Sequence, residues 1–151
     1  MSGGVAVINV GGATEVEIKE KRERVIDAKS ATKAAVEEGI VAGGEITLLR
    51  VAGRLPLNTL GANILKTALL SPFKRLVENS GMDYAEVRER MAGQDYPFGI
   101  DVMDGQIKDL IKAGVIDPVK VTRSALENAV SIACAVITTE TLITDEPPKD
   151  L

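Results

Sequence analysis

The sequence predicts a mainly helical chain with short β-strands near both ends. Three observations carry this. Apolar residues recur at helical spacing from Ile18 to Val36 and again from Asn63 to Asn79. Start and stop signals flank those runs, with Thr14 and Asp83 each followed three residues later by a glutamate and glycines placed after the ends. Aromatic residues make up only 3% of the 151 residues, so a core must be built from Ala, Val, Ile and Leu, which suits closely packed helices.

"VAVINV", Val5 to Val10, is a β-prone run between glycine pairs and predicts a strand. Thr14 then caps a helix that runs to Glu38, with Ile18, Val25, Ala28, Ala31, Ala35 and Val36 inward and Glu20 four residues from Arg24 outside. Gly39 stops it. A second helix starts near Glu45 and runs through "ITLLRVAG"; "PLNTLG" is a turn-rich connection. The third helix spans Asn63 to Asn79, with Ile64, Leu65, Ala68, Leu69, Leu76 and Val77 inward and Pro72 expected to kink or split it.

"MDYAEVRERMAG" predicts a fourth helix capped by Asp83, and "DYPFGIDVMDG" a turn or short strand. "DGQIKDLIKAG" predicts a short helix from Asp104 to Gly114. The last helix opens with Asp117 as N-cap and Pro118 at the first helical position. Its alanines 125, 129 and 133 form a small-residue row. "TLIT" reads as a closing strand before the polar tail "DEPPKDL". Two edge strands wanting partners predict that the chain belongs to a larger body.

The net charge is −4 with no Lys/Arg block, which argues against a nucleic-acid or anionic-membrane surface. Histidine is absent, which removes the commonest general base and metal ligand, and no metal site is expected. The single cysteine, Cys134, lies in "SIACAVI" and reads as a core residue in a reducing compartment. No apolar run approaches the ~20 residues needed to span a bilayer, and "MSGGVAVINVGG" lacks the features of a signal peptide. A cytoplasmic location is expected.

Local chemistry assigns no reaction. Asp27 is either a solvated acid on a charged helix or a carboxylate with room for a water beside its small neighbours Ala28, Ala31 and Ala34. Gly43 and Gly44 are either a tight turn or a place where a nucleotide approaches the backbone. They follow a helix, no Lys-Ser/Thr comes next and no third glycine completes a dinucleotide fingerprint. Asp117 serves as a helix cap, and Asp101 as an acid in a turn.

The long stretches "SGGVAVINVGGATEVEIKEKRERVIDAKSATKAAVEEGIVAGG" and "GVIDPVKVTRSALENAVSIACAVITTETLITDEP" closely resemble the group I chaperonins, the bacterial and organellar type. "NILKTALLSPFKRLVENSG" fits more loosely, and "RLPLNTLG" is shorter than the family's usual loop. The resemblance implies a C-terminal fragment with an equatorial-domain-like helical bundle: residues 1–38 from the intermediate domain, 39–151 from the second half of the ATP-binding, ring-forming equatorial domain. It implies that Asp27 orients the water attacking the ATP γ-phosphate. It also implies that Gly43 and Gly44 line the sugar, that Asp101, Val102 and Met103 flank the adenine, that Val115 packs near the base and that Asp117 bonds the ribose.

Two departures stand out: Glu45 occupies the place of a family glycine, and the family's phosphate loop with its Mg-binding aspartate falls outside these residues. The resemblance therefore implies ATP and Mg as cofactors of the intact protein, with neither expected to be bound by these 151 residues. It implies homo-oligomeric rings, with client proteins and the co-chaperonin held through an apical domain that these residues lack. The alternative reading is a stand-alone helical module that associates with itself without nucleotide chemistry.

Overall fold

The computed structural model describes residues 3–56, 58–141 and 143–144 of the chain. Five helices dominate: α1 (Glu15–Glu38), α2 (Ile46–Arg54), α3 (Leu60–Asn79), α4 (Tyr84–Arg90) and α5 (Val119–Ile137). Four short strands, β1 (Ile40–Ala42), β2 (Phe98–Asp101), β3 (Gln106–Asp109) and β4 (Ile116–Pro118), form two separate antiparallel pairs.

The helix starts follow local chemistry. Thr14 Oγ1 accepts from the Glu17 N–H at 3.2 Å, while Glu17 Oε2 accepts from the Ala13 N–H at 2.8 Å. Asp83 Oδ1 accepts from the Glu86 N–H at 2.9 Å, and Thr59 caps α3 in the same way through the Ala62 N–H. Each cap satisfies an N–H that the helix itself leaves open. The expected Glu20–Arg24 pair forms at 2.6 Å. Gly39 ends α1 at φ 84°, a left-handed value that costs glycine nothing.

α3 runs without a break through Pro72, against the expected kink. Its buried residues Leu69, Phe73 and Val77 stand four apart on one stripe, and their burial offsets the roughly 3 kcal/mol that an interior proline costs. Ile64, Leu65 and Ala68, expected inward, are exposed, and Phe73 takes the central place instead. The core joins Phe73 and Val77 to Ala42, Ile46, Val87, Met91, Ile100 and Leu110. It therefore draws on β1, α2, α3, α4 and β2 together with the turn after β3.

The helix expected over Asp104 to Gly114 is instead the second half of a hairpin. β2 pairs with β3 from Phe98↔Asp109 to Asp101↔Gln106. Asp101 Oδ1 and Asp104 Oδ1 capture the N–H groups of Met103 and Gln106, each at 3.0 Å, and Gly105 adopts φ 68°. Such aspartate-to-backbone bonds offer the chain an alternative to a helical turn. Lys108 closes the hairpin with Nζ contacts of 2.6 Å to Asp101 and 2.8 Å to Asp104.

The strand expected at Val5–Val10 is not formed: among the described residues the run has no ladder partner, and Val5, Val7 and Ile8 are 93%, 77% and 67% exposed. Of "TLIT", residues 141, 143 and 144 are not in a strand, and Leu142 and the tail from residue 145 lie outside the described residues. Neither α1 nor α5 contains a buried residue. Cys134 and the alanine row of α5 are consequently exposed rather than core, because no described element covers the C-terminal half of that helix. The chain exposes 11596 Å², against about 7,400 Å² expected for a compact monomer of this mass.

Ion pairs join α1 to α5. Arg123 grips Glu38 at 2.6 and 3.0 Å and reaches Glu127 at 2.8 Å, while Lys120 bonds Glu37. The last turn of α1 has no basic residue of its own, and its two acids face the negative end of the helix dipole. Cations donated by α5 offset that repulsion. The Arg123 and Lys120 hydrogen bonds accordingly hold the Glu38 and Glu37 carboxyls below the usual range.

Candidate functional site

β1 and β4 bring together two segments far apart in the chain. Their register is Ile40↔Pro118, Val41↔Asp117 and Ala42↔Ile116. The ladder continues one step, with the Gly43 N–H donating to the Val115 carbonyl at 2.9 Å. A Cβ at Gly43 would stand 3.2 Å from the Val115 carbonyl carbon and oxygen, so any side chain there would push the paired backbone back by a few tenths of an ångström. Gly44 follows at φ 64°, with the Ile100 carbonyl 3.8 Å and Leu110 Cδ1 3.6 Å from where its Cβ would be.

Side chains distant in sequence hold β1 in place. The Ala42 N–H donates to Tyr96 Oη at 3.0 Å, and Thr47 Oγ1 donates to the Ala42 carbonyl at 2.9 Å. Tyr96 was not legible as a site-positioning residue, since it lies 54 residues away and carries no local motif. Arg50 likewise spans from α2 to the Phe98 carbonyl at 3.1 Å.

Asp117 lies in β4 and is half-buried. The expected capping role is not what the structure shows: Pro118 is the N-cap of α5, with no side-chain bond to the helix. The reason is the ladder, which holds Asp117 extended opposite Val41. Its charge acts on Glu45, the only described non-glycine residue with a positive φ, at 60°. Burial pushes both carboxyls above their ordinary values, and the charge of Asp117 adds to the rise at Glu45.

These shifts have a definite sign. An acid whose folded pKa is raised stabilises the fold fully below the unfolded value, roughly 4, and loses that contribution as pH climbs through the folded value. Relative to the wild type, Glu45→Gln is therefore expected to gain stability as pH rises above about 4. Denaturant midpoints measured from acid to neutral pH check this, and parallel wild-type and variant profiles would contradict it.

The remaining sequence-predicted residues divide. Val115 packs against the core, and its N–H donates to the Leu110 carbonyl at 2.8 Å. Asp101 ends β2 beside Ile100, with its carboxylate engaged by Lys108, which lowers its pKa. Val102 is partly buried against the core, whereas Met103 is 89% exposed. Asp27 is not brought into this group. It is exposed on α1, twelve residues before Gly39, which is about 18 Å along the helix axis. Among the described residues no cluster of three or more His, Cys, Asp or Glu side chains could hold a metal ion. No helix among them is long and apolar enough to cross a membrane.

The sequence pattern of the TCP-1/cpn60 chaperonin family matches residues 1–147. Among solved structures, the chain is similar to a group III chaperonin crystallised in the open state, with 28% identity and a TM-score of 0.77. That match covers 89% of this chain and 30% of the other. These 151 residues thus span under a third of the length of the solved chain they resemble. The match supports the chaperonin family and leans away from the group I type that the sequence suggested.

Proposed function

The chain belongs to the TCP-1/cpn60 chaperonin family, and from that premise we propose that it is the part of a protein-folding chaperonin subunit carrying the adenosine side of an ATP pocket. The observation that carries this reading is the β1–β4 ladder. It sets the Gly43 N–H on the Val115 carbonyl and holds Asp117 extended opposite Val41, where its charge acts on Glu45. A half-buried carboxylate next to closely approached glycine backbone suits a sugar hydroxyl, which can donate to the acid while the ring lies over the glycines.

In this reading Gly43 and Gly44 line the sugar, Asp117 accepts from the ribose, Val115 packs near the base, and Asp101, Val102 and Met103 flank the adenine. Residues 1–38 are the intermediate-domain segment and 39–151 the second half of the equatorial domain. Asp27, on an arm held to α5 by the Glu37 and Glu38 ion pairs, orients a water once that arm closes over a bound nucleotide. Mg-ATP supplies the phosphoryl group and its charge compensation when bound. The Gly43–Asp117 group fits the sugar end of that ligand. Ring assembly, a cytoplasmic location and work on clients belong to the same proposal. The group I assignment within the family rests on the quoted sequence stretches alone.

These 151 residues by themselves are expected to show no Mg-dependent ATP hydrolysis, because phosphoryl transfer needs metal and donors around the phosphates. A phosphate-release assay on the purified chain, with Asp27→Ala as control, tests this. Turnover that falls with Asp27→Ala would overturn it. A second reading, of a module that self-associates without nucleotide chemistry, is favoured by the surface area left exposed.

A further inference from the structure

Ala42 is held from outside the ladder at both backbone polar groups, its N–H by Tyr96 Oη at 3.0 Å and its carbonyl by Thr47 Oγ1 at 2.9 Å. In an antiparallel pair, alternate residues turn these groups to opposite sides. Val41 pairs with Asp117 and the Gly43 N–H goes to Val115, so Ala42 faces away from β4. Tyr96 serves that edge as a third strand would. Ala42 is 1% exposed, so solvent cannot stand in for the phenol oxygen. Tyr96 itself belongs to the segment leading into the β2–β3 hairpin. The Phe98 N–H closes a turn around it on the Asp95 carbonyl at 2.8 Å, and the Leu110 N–H donates to the Pro97 carbonyl at 3.3 Å. A second tie comes from α2, where Arg50 reaches the Phe98 carbonyl at 3.1 Å. Its Nε is buried without a hydrogen-bond partner among the described residues. The circuit closes through α2, from Arg50 to Thr47 and back to Ala42.

Resting on the reading of the glycine turn as the sugar side and the hairpin end as the base side of an adenosine pocket, we propose that Tyr96 is a positioning residue that couples the two sides. It acts through the Ala42 backbone and not on the ligand. Its phenol oxygen fixes the spacing between Gly43–Gly44, directly after Ala42, and Asp101–Met103, directly after β2 begins its hairpin. Base and sugar are joined by one covalent bond, so a nucleoside fits one spacing only. A whole nucleoside gains from a spacing set beforehand, since it need not order the two sides as it binds. Free adenine engages one side and gains nothing from the tie.

Titrating the 151-residue chain with adenosine and, separately, with adenine tests this, read from amide NMR shifts at millimolar ligand. In the wild type adenosine is expected to bind more tightly than adenine and to move the Gly43 and Gly44 amides together with those of Asp101 to Met103. Tyr96→Phe removes only the oxygen and leaves the buried Ala42 N–H without an acceptor. It is expected to weaken adenosine by about three- to tenfold and to leave adenine binding unchanged. Val87→Ala, a core truncation on α4, controls for lost stability. It is expected to lower the thermal midpoint, as Tyr96→Phe does, but to keep the ratio of the two affinities. Equal weakening of both ligands in Tyr96→Phe, or a ratio that Val87→Ala collapses as well, would overturn the role of Tyr96 and leave the adenosine pocket standing. Adenosine that moves none of these amides would overturn the pocket and the role of Tyr96 with it.

Discussion

Phe73→Ala is expected to abolish cooperative unfolding of the body built from α2, α3, α4 and the β2–β3 hairpin. Phe73 is 1% exposed and sits in the single core cluster of the described residues. Its ring meets that of Tyr84 edge-on, with centroids 6.2 Å apart and planes at 64°. Truncating a buried phenylalanine costs about 3–5 kcal/mol, as lost transfer energy plus the cavity left behind. Whole domains are stable by only about 5–15 kcal/mol. This body is small, and both long flanking helices contribute nothing to its buried core. At the low end of that range, about 5 kcal/mol, the loss removes more than half of what is available. Urea unfolding followed by far-UV circular dichroism is the measurement. A steep transition at the wild-type midpoint would mean that the core is not organised around Phe73. Phe73→Leu, which keeps most of the volume, is expected to retain a transition at reduced midpoint.

Gly99→Ala is expected to destabilise the same body by overpacking, by about 1–3 kcal/mol. A Cβ at Gly99 would lie 2.6 Å from Leu110 Cδ1 and 3.2 Å from Ile46 Cδ1. Both neighbours are side-chain ends, which in a loose environment would swing away. Here each belongs to a residue with 0% exposure, so neither has free space to move into. The same Leu110 methyl stands 3.6 Å from the Cβ position of Gly44, so the displacement is passed towards Gly44 and its neighbour Gly43. Amide shifts of Gly43 and Gly44 are therefore expected to move in Gly99→Ala. Leu110→Val removes the methyl in conflict, and the double variant is expected to be more stable than the sum of the two changes predicts. Strict additivity would show that the two residues do not collide.

The site shows why a single sequence stops short of function. Gly43 and Val115 carry no pattern linking them, yet their backbones share a hydrogen bond. Asp117 followed by proline has the grammar of a helix start, and by local rules it reads as a cap. Only the pairing with Val41 reveals it as a strand residue rather than the cap of α5. The roles proposed for Asp27, Gly44 and Asp117 in nucleotide chemistry come from resemblance to a family and not from spacing. The hairpin at 98–109 was legible in principle, because Asp104-Gly105 is a turn signal between two apolar positions, Ile100 and Ile107. The helical spacing of Ile107 and Leu110 concealed it.

The sequence by itself determined the features that act across three or four residues. The Thr14–Glu17 and Asp83–Glu86 caps, the stop at Gly39 and the Glu20–Arg24 pair need no partner from elsewhere. Mainly helical architecture follows from those. Tertiary structure alone decided which apolar residues lie inside. Phe73 is buried because α4 and the hairpin close over it, whereas Cys134 and the alanine row of α5, equally apolar in sequence, stay exposed because nothing described packs there. It also decided that α3 continues through Pro72 and that Asp117 pairs with Val41 in a strand. Burial is a relation between distant segments, and its free energy outweighs a local preference wherever the two compete.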